Sequence, residues 1–154
     1  MPKWMRCLVL AITLWTPAAT EESVKIHAFR LSPGQDLKQE IQAYVRTHHI
    51  RAGWLVSCVG SLQNLHLRLA NRQETSQFDG YFEIVSATGT LSPDGLHLHL
   101  SASDQDGQTI GGHLVDGNRV YTTVEIVIGE AQDLEFKRTL DPQTGYPELQ
   151  VQPR

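Results

Sequence analysis

The sequence predicts a single α+β domain: a mainly antiparallel β-sheet of about seven or more strands with one principal helix packed on it. Three observations carry this. Short runs alternating apolar and polar residues recur along most of the chain, the period of a half-buried strand. Turn-forming quartets such as "SPDG" and "DQDG" join consecutive runs as hairpins, and hairpin-joined neighbours are antiparallel. A single stretch, after Asp36, carries apolar residues at strong helical spacing. With 154 residues and neither internal repeat nor linker, the chain has the size of one domain with its own core.

Residues 1–20 differ from the rest. Lys3 and Arg6 precede an apolar run, Cys7 to Trp15, which is followed by "TPAATEES". A basic start, a short apolar centre and small residues after it form the pattern of a signal peptide, cut after Ala18 or Thr20. An apolar N-terminal extension is the alternative. The run is too short to cross a bilayer, so no stable membrane span is expected. Export would make the protein secreted or periplasmic; otherwise it is cytoplasmic.

The folded region is expected over residues 24–141. Val24 to Ser32 alternates and is rich in β-formers, a first strand. Asp36 is placed to cap a helix, with Gln39 in the capping-box position. Leu37, Ile41, Tyr44 and Val45 form its apolar stripe, and it should end near His48 to Ile50, before Gly53. "GWLVSCVG" reads as a central strand. "LQNLHLRLA" is an alternating one, with Leu65, Leu67 and Leu69 on one face and Asn64, His66 and Arg68 on the other. "NRQETSQFDG" is a polar loop, and "YFEIVSATGTL" is one bent strand or two, with Gly89 at the bend. "LHLHLSAS", "QTIGGHLV" and "RVYTTVEIVIG" follow, separated by the turns "DQDG" and "DGN", and "DLEFKRTL" is the last strand. Residues 142–154 are polar, contain Pro147 and Pro153, and read as a surface tail.

A net charge of −4 gives no broad electrostatic attraction to nucleic acid. Of two cysteines, Cys7 falls in the leader, so Cys58 is left alone once the leader is removed. It lies in the apolar "WLVSCVGSL", the setting of a small core residue rather than a nucleophile. A chain without disulfides must be held by its core, by a metal or by oligomerisation. No Ser-His-Asp spacing and no phosphate-binding loop is present.

The residues that carry chemistry are histidines. In "LHLHL", His97 and His99 stand at i and i+2 and so share a face, while Leu96, Leu98 and Leu100 point to the core. Their Cα atoms are about 7 Å apart, close enough for both imidazoles to reach one ion. The turn "DQDG" folds the chain back so that "GGHL" runs antiparallel to them. If Asp104 to Gly107 form a four-residue loop, Ser103 pairs with Gln108 and His113 falls opposite Leu98, on the wrong face. One extra residue, as a bulge at Gly111-Gly112, brings His113 opposite His99. Three neutral imidazoles with an open fourth position form a common zinc site; nickel, copper or iron also accept imidazole. Histidines also line polar strand faces with no ligand, and spacing leaves both readings open. Other candidates are weaker. His48 and His49 close the helix and suit its terminal carbonyls. His66 could approach the site. Glu125 could orient a histidine, act as a base, or pair with Arg68 or Lys137, and Glu83 is similar.

The order of "GYFEIVSATGTLS", "DGQTIGGHLVDGNRVYTTVEIVIG" and "LEFKR" with "TG" soon after resembles the plants-and-prokaryotes conserved (PPC) domain, also called domain of unknown function 296. The upstream "GWLVSCVGSLQNLHLRLAN" fits the same pattern, and the resemblance spans roughly Ile26 to Gly145. It implies a mainly antiparallel sheet with helix on one face, assembled as a homotrimer. Plant members carry Arg-Gly-Arg-Pro AT-hooks that enter the DNA minor groove; this sequence has none, so direct DNA binding is not expected. Plant members tend to lack the histidine of "GGHL", whereas His113 is present. The chain thus resembles the stand-alone, metal-binding type. That implies a trimeric protein in which His97, His99 and His113 hold Zn2+. The alternatives are a zinc-dependent hydrolase or hydratase with an unidentified small-molecule substrate, and, by analogy with the plant members, a DNA-binding module, which the acidic balance opposes.

Overall fold

Apolar alternation and hairpin turns organise the chain as expected. A computed structural model describes residues 23–154; the expected leader at residues 1–20 lies outside the described residues. The elements are β1 (Val24–Leu31), α1 (Leu37–Thr47), β2 (Gly53–Arg68), β3 (Thr75–Ser92), β4 (Gly95–Ser103), β5 (Thr109–Leu114), β6 (Val120–Ala131), β7 (Leu134–Leu140) and β8 (Pro147–Pro153). Six strands form an antiparallel sheet in the order β1-β6-β2-β3-β4-β5, and β7 and β8 form a separate two-stranded ribbon. β5 also returns to the end of β2, through Leu67–Leu114 and Arg68–His113. The strands β2 to β5 therefore close on themselves at that end. Among the described residues no helix is long and apolar enough to cross a membrane.

The helix begins where the capping residues place it. Asp36 Oδ1 accepts from the Gln39 amide at 3.1 Å, and Oδ2 accepts from the Gly117 amide at 2.6 Å. One carboxylate thus caps α1 and ties it to the loop before β6. Leu37, Ile41 and Val45 are wholly buried, packed with Leu62, Leu65, Leu67, Leu98, Leu100 and Ile128. Each such side chain contributes roughly 1.5–3 kcal/mol by leaving water. At the other end His48 donates its backbone amide to the Tyr44 carbonyl, while its ring stacks on Tyr44 with centroids 4.0 Å apart. Cys58 is buried among apolar side chains, and burial pushes its thiol up to about 12, which makes it inert at neutral pH.

Three boundaries differ from the sequence reading. "GWLVSCVG" and "LQNLHLRLA" are not separate strands: β2 runs through both, with irregular register on one side or the other at Leu55/Ser57, Gly60/Leu62 and Leu62/Asn64. Those irregularities let one long strand bend round the core without stopping. The second half of the polar loop is strand as well. Phe78 pairs with Leu65 and Ser76 with Leu67 across to β2, and the polar residues between them face outward, so the alternation was present but mostly in polar letters. The tail, finally, is β8. It pairs with β7 from Leu134–Pro153 to Leu140–Pro147, across a turn closed by the Asp141 amide on the Tyr146 carbonyl at 2.9 Å. A two-stranded ribbon buries little, so its second strand needs few apolar residues to be a strand.

The irregularity of β3 against β4 falls at Ile84/Ser86 rather than at Gly89; Gly89 has φ 149°, and an added Cβ there would stand 1.9 Å from the His97 carbonyl oxygen. Gly89→Ala should therefore force β3 and β4 apart beside His97 and cost about 2 kcal/mol. Thermal unfolding reads this directly, and an unchanged midpoint would show that the backbone there has slack.

Candidate metal centre

β4 divides its side chains as the alternation requires. Leu98 and Leu100 are 1% exposed in the core, and His97 and His99 stand on the opposite, exposed face. His113 reaches that face from β5, directly opposite His99. The device that puts it there is not the expected bulge. Pairing runs without interruption through Ser101–Gly111, Leu100–Gly112 and His99–His113, and starts at Ser103–Thr109 rather than Ser103–Gln108. The extra residue sits in the turn. The Asp104 amide donates to the Gln108 carbonyl at 3.0 Å. Its carboxylate Oδ1 accepts from the Asp106 and Gln108 amides at 3.0 and 2.9 Å. A side chain that holds two backbone amides makes a five-residue loop as definite as a four-residue one. The glycines answer a different need, which is close approach. A Cβ on Gly112 would lie 2.9 Å from the Arg68 carbonyl oxygen, so Gly112 is what lets β5 lie against β2.

The result is a triangle of imidazoles. Ring centroids are 5.2 Å apart for His97–His99 and His97–His113, and 5.8 Å for His99–His113. One ring nitrogen from each lies within 4.8 Å of the others, a group that could hold a metal ion. Nitrogens round one tetrahedral ion stand about 3.3 Å apart, so modest ring rotations separate this arrangement from a closed one. Nδ1 of His113 is buried without a hydrogen-bond partner among the described residues, a state that buried polar atoms seldom keep unless something else satisfies them.

Burial and neighbouring cations disfavour the protonated form of two of the rings. Burial, then the Arg68 guanidinium, then the His97 ring lower His113 to about 4. Burial, then Arg138, then His99 hold His97 below the ordinary histidine range. A neutral imidazole is the form that ligates metal.

The remaining candidates lie elsewhere. His66 packs under the Gly117 backbone and is not in the triangle. Glu125 is exposed on β6, with Val59 and Arg30 opposite it on the flanking strands, and makes no ion pair with Arg68 or Lys137 within 4.0 Å; Lys137 contacts Glu135 and Asp94 instead. Glu83 is likewise exposed, opposite Ser61 and Ser103. The residue that sequence reasoning missed is Arg138. It lies in "LEFKR" on β7 and donates from Nη2 at 2.7 Å to Oγ1 of Thr90 on β3, the cross-strand partner of His97, with no local pattern to announce it. The triad opens on one side to a cleft of about 680 Å³, whose walls include Arg68, Arg138, Tyr146 and Glu148.

The depressed His113 has a consequence for stability. Between its unfolded value of 6.5 and its folded value of about 4, the unfolded chain binds a proton that the folded chain refuses. Metal-free protein should therefore be least stable below about pH 4, gain stability as pH rises to about 6.5, and gain no more from this group above that. Denaturant titrations of EDTA-treated protein check this against His113→Gln, which should flatten the slope; equal slopes would contradict it.

Comparison with known proteins places this geometry in a family. Residues 18–132 match the Plants and Prokaryotes Conserved (PCC) domain. A bifunctional GlmU protein of Synechococcus sp. (strain JA-2-3B'a(2-13)) is 47% identical over 131 residues, which are 85% of this chain but 21% of that protein. The chain thus spans about a fifth of the curated relatives it matches first. A hypothetical protein from Salmonella cholerae-suis has a similar structure, with a TM-score of 0.84 and 41% identity over 86% of this chain and 96% of that one. A metal-containing protein from Archaeoglobus fulgidus shares the fold at a TM-score of 0.72 and 23% identity, covering 82% of this chain and 93% of that one. The match extends over most of the chain, and this chain belongs to the Plants and Prokaryotes Conserved domain family.

Proposed function

We propose that the protein is a metal-binding domain in which His97, His99 and His113 hold one divalent cation, with zinc the best fit. The observation that carries this is the convergence of three imidazole nitrogens within 4.8 Å on one exposed face. The donor set is all nitrogen and neutral, which suits zinc and also nickel, copper or iron(II), and disfavours calcium and magnesium. The unpartnered Nδ1 of His113 supports the same reading. So does the fold shared with an archaeal protein described as metal-containing. A zinc held by three protein ligands keeps an open position and supplies Lewis acidity. The cleft that reaches His97 and His113 favours, as a second reading, a hydrolase or hydratase. In either case the chain's own part is to orient the three rings, disfavour protonation of His97 and His113, and shape the opening.

The domain is further proposed to act as a homotrimer. Ile26, Val56, Val59 and Val85, from three strands of the main sheet, are each more than half exposed. Exposed apolar side chains on a sheet are well buried by copies of the same chain.

Elemental analysis of purified protein should give about one zinc or equivalent metal per chain. His97→Ala with His113→Ala should remove it while leaving the protein folded. Stoichiometric metal retained by that double variant would place the site elsewhere. Sedimentation should give a trimer at micromolar concentration, and Val59→Glu should shift it towards monomer. A wild-type monomer would end the trimer proposal.

A further inference from the structure

We infer that the cleft beside the histidines binds a small molecule carrying an oxyanion, a phosphate or a carboxylate, gripped by Arg68, Arg72 and Arg138. The cleft measures about 680 Å³, within the roughly 300–1,000 Å³ of small-molecule sites. The three arginines that line it come from separate parts of the chain: the end of β2, the connection to β3, and β7. Like charges gathered this way repel unless an anion joins them. Among the described residues none of the three lies within 4.0 Å of a carboxylate. The cleft also carries two acids, each with a partner other than these arginines. Asp94 stands 4.0 Å from Lys137 Nζ, and Glu148 accepts from Thr144 Oγ1 at 3.0 Å.

Arg138 is prepared for such a ligand. Nη2 is anchored on Thr90, which fixes the plane of the guanidinium, and its Nε is buried with no hydrogen-bond partner among the described residues. A planar fork of donors matches phosphate and carboxylate oxygens in a way that a lysine ammonium does not. The ribbon β7–β8 walls the cleft with Tyr146 and Pro147, so the space suits a compact ligand rather than a polymer backbone. His97 and His113 line the same space. The inference rests on the proposed metal centre in one respect: the end of the ligand away from the arginines faces the ion.

Calorimetry of the full chain at low ionic strength tests this, with inorganic phosphate and citrate as separate probes to distinguish the two oxyanions. EDTA-treated protein is used, so that binding is read without the metal. At least one probe should bind saturably, and Arg68→Gln and Arg138→Gln should each weaken it about tenfold or more. Arg30→Gln, on the exposed face of β1, should leave it unchanged. Should Arg138→Gln fail to fold, the exposed Arg72→Gln takes its place. Neither probe binding, or equal weakening by Arg30→Gln, would overturn the inference. Metal content measured on the same variants separates the two proposals. Arginine-dependent binding in a protein that never takes up metal would leave the cleft standing and end the metal reading. Full metal content without arginine-dependent binding would do the reverse.

Discussion

The position of one turn decides whether this protein has a site at all. Side chains alternate faces along a strand, so a one-residue change between β4 and β5 would move His113 to the side of Leu98 and bury it. The Asp104 carboxylate prevents this by holding two amides of a five-residue loop. Once His99 stands opposite His113, the rest follows. Gly112 lets β5 approach the end of β2, Arg68 comes opposite His113, and burial, then the Arg68 guanidinium, lower that imidazole below the ordinary histidine range.

The same closure of β2 to β5 explains why core and site are inseparable. Leu98 and Leu100 fill the core from the strand that presents His97 and His99. Leu114 does the same from the strand that presents His113. Hydrophobic burial on one face therefore pre-arranges the polar face, and the imidazoles are brought together by energy spent on the core. The helix contributes at a distance. Its cap, Asp36, also holds the loop that leads into β6, the strand on which β2 is aligned.

Much of this was legible in the sequence because it depends on local pattern. The strict alternation of "LHLHL" fixed which residues share a face, and the cap at Asp36 located the helix. What was not legible depended on partners far along the chain. Nothing in "NRQETSQFDG" distinguishes a loop from a strand whose alternation is carried by Phe78 and Ser76 alone. The tail became β8 because β7 offered unpaired backbone groups, not through its own apolar content. The correct register of His113 was reached by way of the wrong device: Gly111-Gly112 suggested a bulge, yet glycine there serves close approach to β2 and Ser101. Arg138 was invisible because its place beside Thr90 is set by packing of the ribbon on the sheet.

One face thus gathers three imidazoles beside a cleft lined by arginines, the arrangement that the proposed metal ion and anionic ligand would need. The most direct measurement is anomalous diffraction from metal-loaded crystals at the absorption edge of the bound metal. The account predicts one peak per chain, within bonding distance of one ring nitrogen each from His97, His99 and His113. A peak bound by other residues, or crystals of the loaded protein with no peak at that triangle, would contradict it.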